Sequence, residues 1–477
     1  MKFFLFLSIL FFLHTGCFSQ IIEPLPFVGK FLSSKALEGA TVGLVVDDLA
    51  KNETLISVNP DLLLAPASVT KIVTSAVALE LLGSNFTYIT RVGYNGKIDE
   101  KSGVLAGDWV IRGGGDPTME SAWFKKSEVS ALDNIVELMN NLNLKTIHGD
   151  IVLDLSMFEP QTMPGSWTWE DMGNYFGTTP AALNIGDNTV KLSFNSPSTA
   201  GKATQLVSVA PNLPNMGWKN EVLSSTVNRD MAYVYGSPWD NRREIKGTIP
   251  AGRQGFEVKA SMPNPPLVFG GMLIQKLRDA GIALKGGVKC LYEPVEAHFV
   301  GEVLSPSLPE ICKIMNHESV NLIGESLVLQ LALLANGKGV HDDGLRVVQE
   351  YLETHIFAHK FFIVDGSGLS RFNAMSARQL TDLLKFMHHS ENGAAFKSSL
   401  PNAGVATLRG FDTQKFPGRT LCCKSGSLTR VRAYSGYLVT NSGRTLAFTV
   451  MANNFSGTSG EVFAAIGELL GKIRETM

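Results

Sequence analysis

Cysteine is scarce in this chain, with five in 477 residues, at positions 17, 290, 312, 422 and 423. So few thiols in so long a sequence exclude a disulfide scaffold. There is no CxxC pair and no HExxH, so no metal site is expected. A surplus of either charge is missing as well. Lys and Arg number 42 against 44 acids, a net charge of −2. That balance excludes the basic footprint of a nucleic-acid binder and a polybasic attachment to membrane surfaces. Repeats, low-complexity tracts and charge runs are absent too. What is present is 44% hydrophobic and 18% charged residues, which rules out disorder, collagen and coiled coil. The length leaves room for about three globular domains.

The N-terminus points to a compartment. Met1-Lys2 precedes the apolar run Phe3 to Leu13, followed by small or polar residues from Thr15 to Gln20. A positive start, a short apolar core and small residues after it describe a secretory signal over 1–20, cleaved near Ser19 or Gln20. The run is too short to span a bilayer, which needs about 20 residues, so no transmembrane anchor is expected. Cys17 after Gly16 allows a second reading as a lipoprotein, but His14 stands where such signals carry leucine. The expectation is therefore a periplasmic or otherwise extracytoplasmic protein. Cleavage leaves four cysteines. Cys422 and Cys423, adjacent in a candidate strand, should face opposite ways and not bond. A Cys290–Cys312 bridge is left open by the sequence. His388-His389 ends a helical pattern and reads as a solvated face.

Along the chain, Thr41 to Asp48 reads as a strand and Thr54 to Val58 as its hairpin partner. Pro66 and Ser68 then introduce Ile72, Val73, Ala76, Val77, Leu79 and Leu82, a helical pattern that Gly83 stops. From about residue 90 to 265, short strand candidates alternate with Gly, Pro, Asn and Asp clusters such as Gly113-Gly114-Gly115-Asp116-Pro117. Helices are expected at Leu322 to Leu334, Ala377 to Met387 and Glu461 to Ile473. Strands are expected near Thr420 to Lys424, Ala433 to Thr440 and Arg444 to Ala452. The simplest parse is one helix-and-sheet domain built from both ends of the chain and interrupted by a mainly β insertion.

Ser68-Val69-Thr70-Lys71 sets a hydroxyl and an amine at i and i+3, on one face of that helix's first turn. A serine is a poor nucleophile until a base takes its proton. A lysine can do so only if burial or nearby positive charge lowers its pKa. The helix N-terminus also offers free amides and partial positive charge where an oxyanion would form. The tetrapeptide alone is more simply a helix cap with a surface lysine. Two further fragments change that balance: Ser319-Val320-Asn321 ahead of an apolar helix, and Lys424-Ser425-Gly426-Ser427 after a strand. In this order the three form the SxxK, SxN, K[ST]G signature of β-lactamases and penicillin-binding proteins. In that scheme Ser319 relays a proton to the leaving amine and the Asn321 amide holds the substrate backbone. Lys424 binds a terminal carboxylate, and the small Ser425-Gly426 pair lets the ligand approach the strand edge.

At this point the chain resembles the low-molecular-mass class C penicillin-binding proteins, D-alanyl-D-alanine carboxypeptidases and endopeptidases. The 247 residues between Lys71 and Ser319 match that family's inserted domains. The phrases GGGDPT (Gly113 to Thr118), GDIVLDLSMF (Gly149 to Phe158), PAALN (Pro180 to Asn184) and DGSGLSR (Asp365 to Arg371) are similar too. Read structurally, most of these are turns and packing. KSG in place of the commoner KTG keeps the hydroxyl, and Val320 replaces a more usual polar residue. By resemblance Asp154 would meet the free amine of a diamino acid in the stem peptide; a turn-capping aspartate is the equal alternative.

The resemblance implies an α/β (α+β) fold, a DD-peptidase-like antiparallel sheet flanked by helices with mainly β inserted domains. The catalytic part would take 21–90 and 266–477. The insertion would take 91–265, with a nested piece at about 104–182. It also implies an exported serine DD-peptidase that needs no cofactor. Ser68, Lys71, Ser319 and Asn321 would be catalytic. Lys424, Ser425, Gly426, Ser427 and Asp154 would bind substrate, with the Ser68 and Ser427 amides at the oxyanion. Its partners would be peptidoglycan stem peptides and, as covalent inhibitors, β-lactams. The competing readings are a β-lactamase-like hydrolase, a non-catalytic wall- or β-lactam-binding protein, and an esterase of related fold.

Overall fold

The computed structural model describes residues 25–124, 130–213 and 215–477. The expected leader, its cleavage site and Cys17 lie outside the described residues. The fold is mixed α and β. Its central sheet has five antiparallel strands in the order Leu421–Leu428, Val431–Val439, Thr445–Asn453, Thr41–Asp48, Glu53–Val58. The two chain ends meet in it, with Thr41 opposite Asn453 and Asp48 opposite Leu446. Thr41–Asp48 is buried almost throughout because both faces of the sheet are covered, and so Val42 to Val46 is an unbroken apolar stretch. Val45 enters the core shared with the helices Thr70–Leu82 and Ala377–His389, while Leu44 and Val46 enter the core under Ser459–Thr476. The same alternation sends Cys422 to the first core and Cys423 to the second.

The helix after Pro66 begins as a tight 3-10 turn, Ala67–Val69, and becomes α-helical over Thr70–Leu82. Gly83 ends it at φ 80°, a conformation that suits glycine. Every residue from Thr70 to Leu79 is buried, so this helix has no wet face and runs through the core. The remaining expected helices occur as Asn321–Asn336, Ala377–His389 and Ser459–Thr476. Ser376 with Gln379, and Thr458 with Glu461, form capping boxes that set the starts of the last two. Among the described residues, no helix is long and apolar enough to cross a membrane.

The strand pairings divide the insertion differently from the sequence expectation. A five-stranded sheet runs in the order Val288–Leu291, Ile151–Asp154, Trp109–Arg112, Ile89–Tyr94, His298–Leu304. Residues up to Leu304 therefore pair with the inserted region, well past 265. The inner piece is not 104–182 but the stretch from Thr189 to Ser261, which forms two three-stranded sheets. The insertion is mainly β, and it is not β alone. Its sheet contains parallel pairs such as Trp109 opposite Ile151, and it carries the helices Ala131–Asn141 and Pro265–Asp279. Phe269, Leu273 and Leu277 of the second helix pack into the insertion core. Helical texture returning near 266 thus marked a helix of the insertion, since periodicity shows that a face is buried but not against what.

Candidate active site

Three elements converge on Ser68. The 3-10 turn brings the serine itself, with Ala67 before it in the left-handed region at φ 49°, a costly conformation for a residue with a side chain. Ser319 is the second element, held at φ 60° between the helices Leu308–Glu318 and Asn321–Asn336. The strand Leu421–Leu428, at the edge of the central sheet, is the third. Ser68, Ser319, Ser425 and Ser427 line one open cleft of about 900 Å³. Trp123, Tyr175 and Asp230 of the insertion line its other side.

Lys71 is fully buried. Its Nζ donates to Ser68 Oγ at 3.2 Å, to Asn321 Oδ1 at 2.6 Å and to the Ser367 carbonyl at 2.6 Å. Burial pulls its pKa down to about 7 against the opposing charges of Asp365 and Glu325. A neutral amine beside the serine can accept its proton near neutral pH. Lys424 is also fully buried and donates to Ser319 Oγ at 3.1 Å and to the Ser425 carbonyl at 2.8 Å. Burial, then repulsion from Lys71, carries its pKa well below the usual lysine range. A carboxylate in the cleft would oppose that shift by stabilising the ammonium.

The expected residues therefore come together, with three differences. The Asn321 amide donates to the Phe176 carbonyl at 2.7 Å, so one of its two hydrogens is taken up by the insertion and not by substrate. Gly426 faces the protein: a Cβ there would lie 2.5 Å from the Pro66 carbonyl oxygen and 3.1 Å from the Val69 nitrogen. Its smallness serves the approach of the strand to the Ser68 turn, not that of a ligand. Asp154 is fully buried. One of its oxygens accepts from Arg112 Nε at 2.7 Å and the Val295 amide at 3.0 Å. The other accepts from the Ser156 amide and hydroxyl at 3.0 and 2.6 Å. With both oxygens engaged internally, Asp154 is a capping and ion-pairing residue, the structural alternative of the two weighed above.

Cys290 on the insertion strand and Cys312 on the helix Leu308–Glu318 are both free thiols. The site also uses groups that motif reasoning passed over. Asp365 accepts from the Gly368 and Ser370 amides and from Trp167 Nε1. Ser367 contributes its backbone, and the Gly368 φ of 80° fits that residue under Ala67. The phrase Asp365 to Arg371 was visible in the sequence, but nothing local told that it lies beneath Lys71. Glu325 follows Asn321 by four positions, one turn on along the same helix face, and that spacing was the available signal.

A model of the D-Ala-D-Ala carboxypeptidase 3 (S13) family matches residues 28–469. The D-alanyl-D-alanine carboxypeptidase DacB of Haemophilus influenzae is 25% identical over 89% of this chain and 88% of its own. The D-alanyl-D-alanine carboxypeptidase of Actinomadura sp. is 26% identical over 90% of this chain and 81% of its own. In fold, the chain is similar to the crystal structure of penicillin binding protein 4 (dacB) from Haemophilus influenzae. The TM-score is 0.79 at 24% identity, covering 94% of this chain and 98% of that one.

Proposed function

Because the chain belongs to the D-Ala-D-Ala carboxypeptidase 3 (S13) family, we propose that Ser68 is the nucleophile of an acyl-enzyme mechanism acting on peptidoglycan stem peptides. The chain is a serine-type D-Ala-D-Ala carboxypeptidase of the low-molecular-mass penicillin-binding class. The observation that carries the site assignment is the buried Lys71 amine, 3.2 Å from Ser68 Oγ and otherwise enclosed by acceptors.

In this reading Lys71 Nζ takes the Ser68 hydroxyl proton as Oγ attacks the carbonyl between two terminal D-alanines. The oxyanion is met by the backbone amides of Ser68 and Ser427. Ser319, whose Oγ already accepts from Lys424, has its own hydrogen to give to the departing amine; Lys71 then returns a proton to Ser319. The C–N bond breaks and D-alanine leaves with Lys424 and Ser425 still facing its carboxylate. Water then attacks the ester, loses a proton to Lys71 and restores the Ser68 hydroxyl.

Two finer statements belong to the same proposal. Cleavage of D-alanyl-diamino acid cross-links is supported by the open cleft that the insertion walls with Trp123, Tyr175 and Asp230, which leaves room for a branched leaving group. Action outside the cytoplasm is supported by the leader-like pattern over 1–20 and by the location of the wall substrate.

The test is the intact mass of the mature protein after benzylpenicillin, with peptide mapping. A stoichiometric penicilloyl group on Ser68, lost in Ser68→Ala, is the expected result. Released penicilloic acid with no adduct would favour a β-lactamase, and intact drug with unmodified protein would overturn the assignment.

A further inference from the structure

Behind Lys71 lies a buried acid–imidazole pair that the reaction scheme above does not use. Glu325, one turn beyond Asn321, is fully buried. Its Oε1 accepts from the Ser367 amide at 2.8 Å, and its Oε2 accepts from the Gly366 amide at 3.0 Å. Oε2 also faces His341 Nε2 at 2.9 Å, and His341 is only 5% exposed. On the opposite side, Thr74 Oγ1 donates to the Gly366 carbonyl at 2.6 Å and Lys71 Nζ to the Ser367 carbonyl at 2.6 Å. The peptide units of Gly366 and Ser367 are thus gripped between Glu325 and the nucleophile helix. Through Ser367, one end of the grip is the carboxylate and the other is the general base.

Resting on the reading of Lys71 as general base, we propose that Glu325, held by His341, is a positioning residue that fixes the Ser367 carbonyl on Lys71 and sets how tightly Lys71 keeps its proton. A buried carboxylate is costly unless its oxygens are satisfied, and three donors here leave Glu325 with one orientation. Burial alone would raise its pKa, but the hydrogen bond and charge of His341, with the two amides, bring it below the usual glutamate range. The same contact outweighs burial for His341 and raises its pKa.

The charges facing Lys71 are those of Glu325 from its helix, Asp365 from the loop beneath, and Lys424 from the edge strand. Those around His341 are Glu325, Asp365 from the loop beneath, the neighbouring Asp342 with an oxygen 4.0 Å from Nδ1, and Glu159, which accepts from its backbone amide at 2.8 Å. A negative Glu325 favours the Lys71 ammonium and a positive His341 offsets that effect. The two residues therefore pull the proton affinity of Lys71 in opposite directions.

The experiment is the pH profile of Ser68 acylation by benzylpenicillin for the full mature chain and three variants. Glu325→Gln loses the charge, keeps one acceptor oxygen for a backbone amide and puts an NH2 donor in the place of the other oxygen. Its acid limb is expected about one pH unit lower than that of the wild type. His341→Gln leaves Glu325 uncompensated, and its limb is expected at higher pH. Glu325→Ala loses the grip altogether and is expected to acylate at least tenfold more slowly at every pH, with Glu325→Gln, which keeps one acceptor, restoring part of that loss. A Glu325→Gln limb that stays in place, in an enzyme that still acylates Ser68, overturns the inference while leaving the Ser68 assignment intact. If Glu325→Gln does not fold, the His341→Gln limb decides alone, and an unmoved limb overturns it. Failure of the wild type to acylate would instead strike the parent reading.

Discussion

Asp154 and Lys71 are both fully buried ionisable residues, and their surroundings give them opposite uses. Lys71 has only acceptors around Nζ and loses its proton easily because burial penalises the charge. Asp154 is penalised by burial too, but hydrogen bonds from Ser156, Val295 and Arg112 more than offset it and lower its pKa. Its ion pair with Arg112 has one partner wholly enclosed and the other 23% exposed. Breaking such a pair costs about 3 kcal/mol. Asp154→Asn should therefore lower the melting temperature by several degrees while leaving the penicillin acylation rate near that of the wild type, because the carboxylate does not line the cleft. The stabilisation exists above the unfolded carboxylate's 3.8 and is lost as pH falls through the lower folded value. The melting difference between variant and wild type should therefore shrink in acid. A loss of acylation without a loss of stability would return Asp154 to the substrate site.

At the scale of elements, the edge strand Leu421–Leu428 and the 3-10 turn Ala67–Val69 depend on one missing side chain. Gly426 lets the strand backbone lie against the Pro66 carbonyl, so that Ser425 and Ser427 flank the cleft that Ser68 enters. Gly426→Ala would push the strand off that turn at an overpacking cost of about 1–3 kcal/mol. The expected outcome is a folded protein whose acylation by benzylpenicillin falls at least tenfold; unchanged acylation would show that the turn can yield without moving Ser68. This contact also marks the limit of local reading. The strand and the helix were both legible, the first from the short apolar stretch Leu421 to Cys423 that leads into KSG and the second from its proline entry and glycine exit. That Gly426 is small for the sake of Pro66, and not of a ligand, depends on which backbone lies opposite, and no local pattern carries that.

At the scale of the molecule, the insertion is joined to the residues around Ser68 by polar and apolar ties. Trp167 donates to Asp365, the Phe176 carbonyl accepts from Asn321, and Glu159 accepts from the His341 amide. Phe158 is the apolar anchor. It is buried against Gly115 and Gly339, where added Cβ atoms would come within 2.3 Å of its ring. Phe158→Ala should cost about 3–5 kcal/mol through the cavity it opens. Because the neighbouring Glu159 and the strand bridge from Phe158 to Gly339 go with it, acylation should weaken together with thermal stability. Stability lost with acylation fully retained would mean that the insertion is docked independently of the site.

The sequence by itself determined the elements and the chemistry: which segments bury a face, where helices stop, and that a hydroxyl and an amine sit three residues apart ahead of SxN and KSG. Those are properties of neighbours along the chain, set by side-chain period, capping and glycine or proline geometry. Only the tertiary structure decided that Lys71 meets Asn321 and Ser367, 250 and 296 residues away. It likewise decided that Asp154 turns inward to Arg112, and that the strands through Leu304 belong to the insertion. The reason is physical. Apolar burial is non-directional and tells a segment to be covered, whereas the partner that covers it, and the buried charge that partner brings, emerge only when distant segments are packed together.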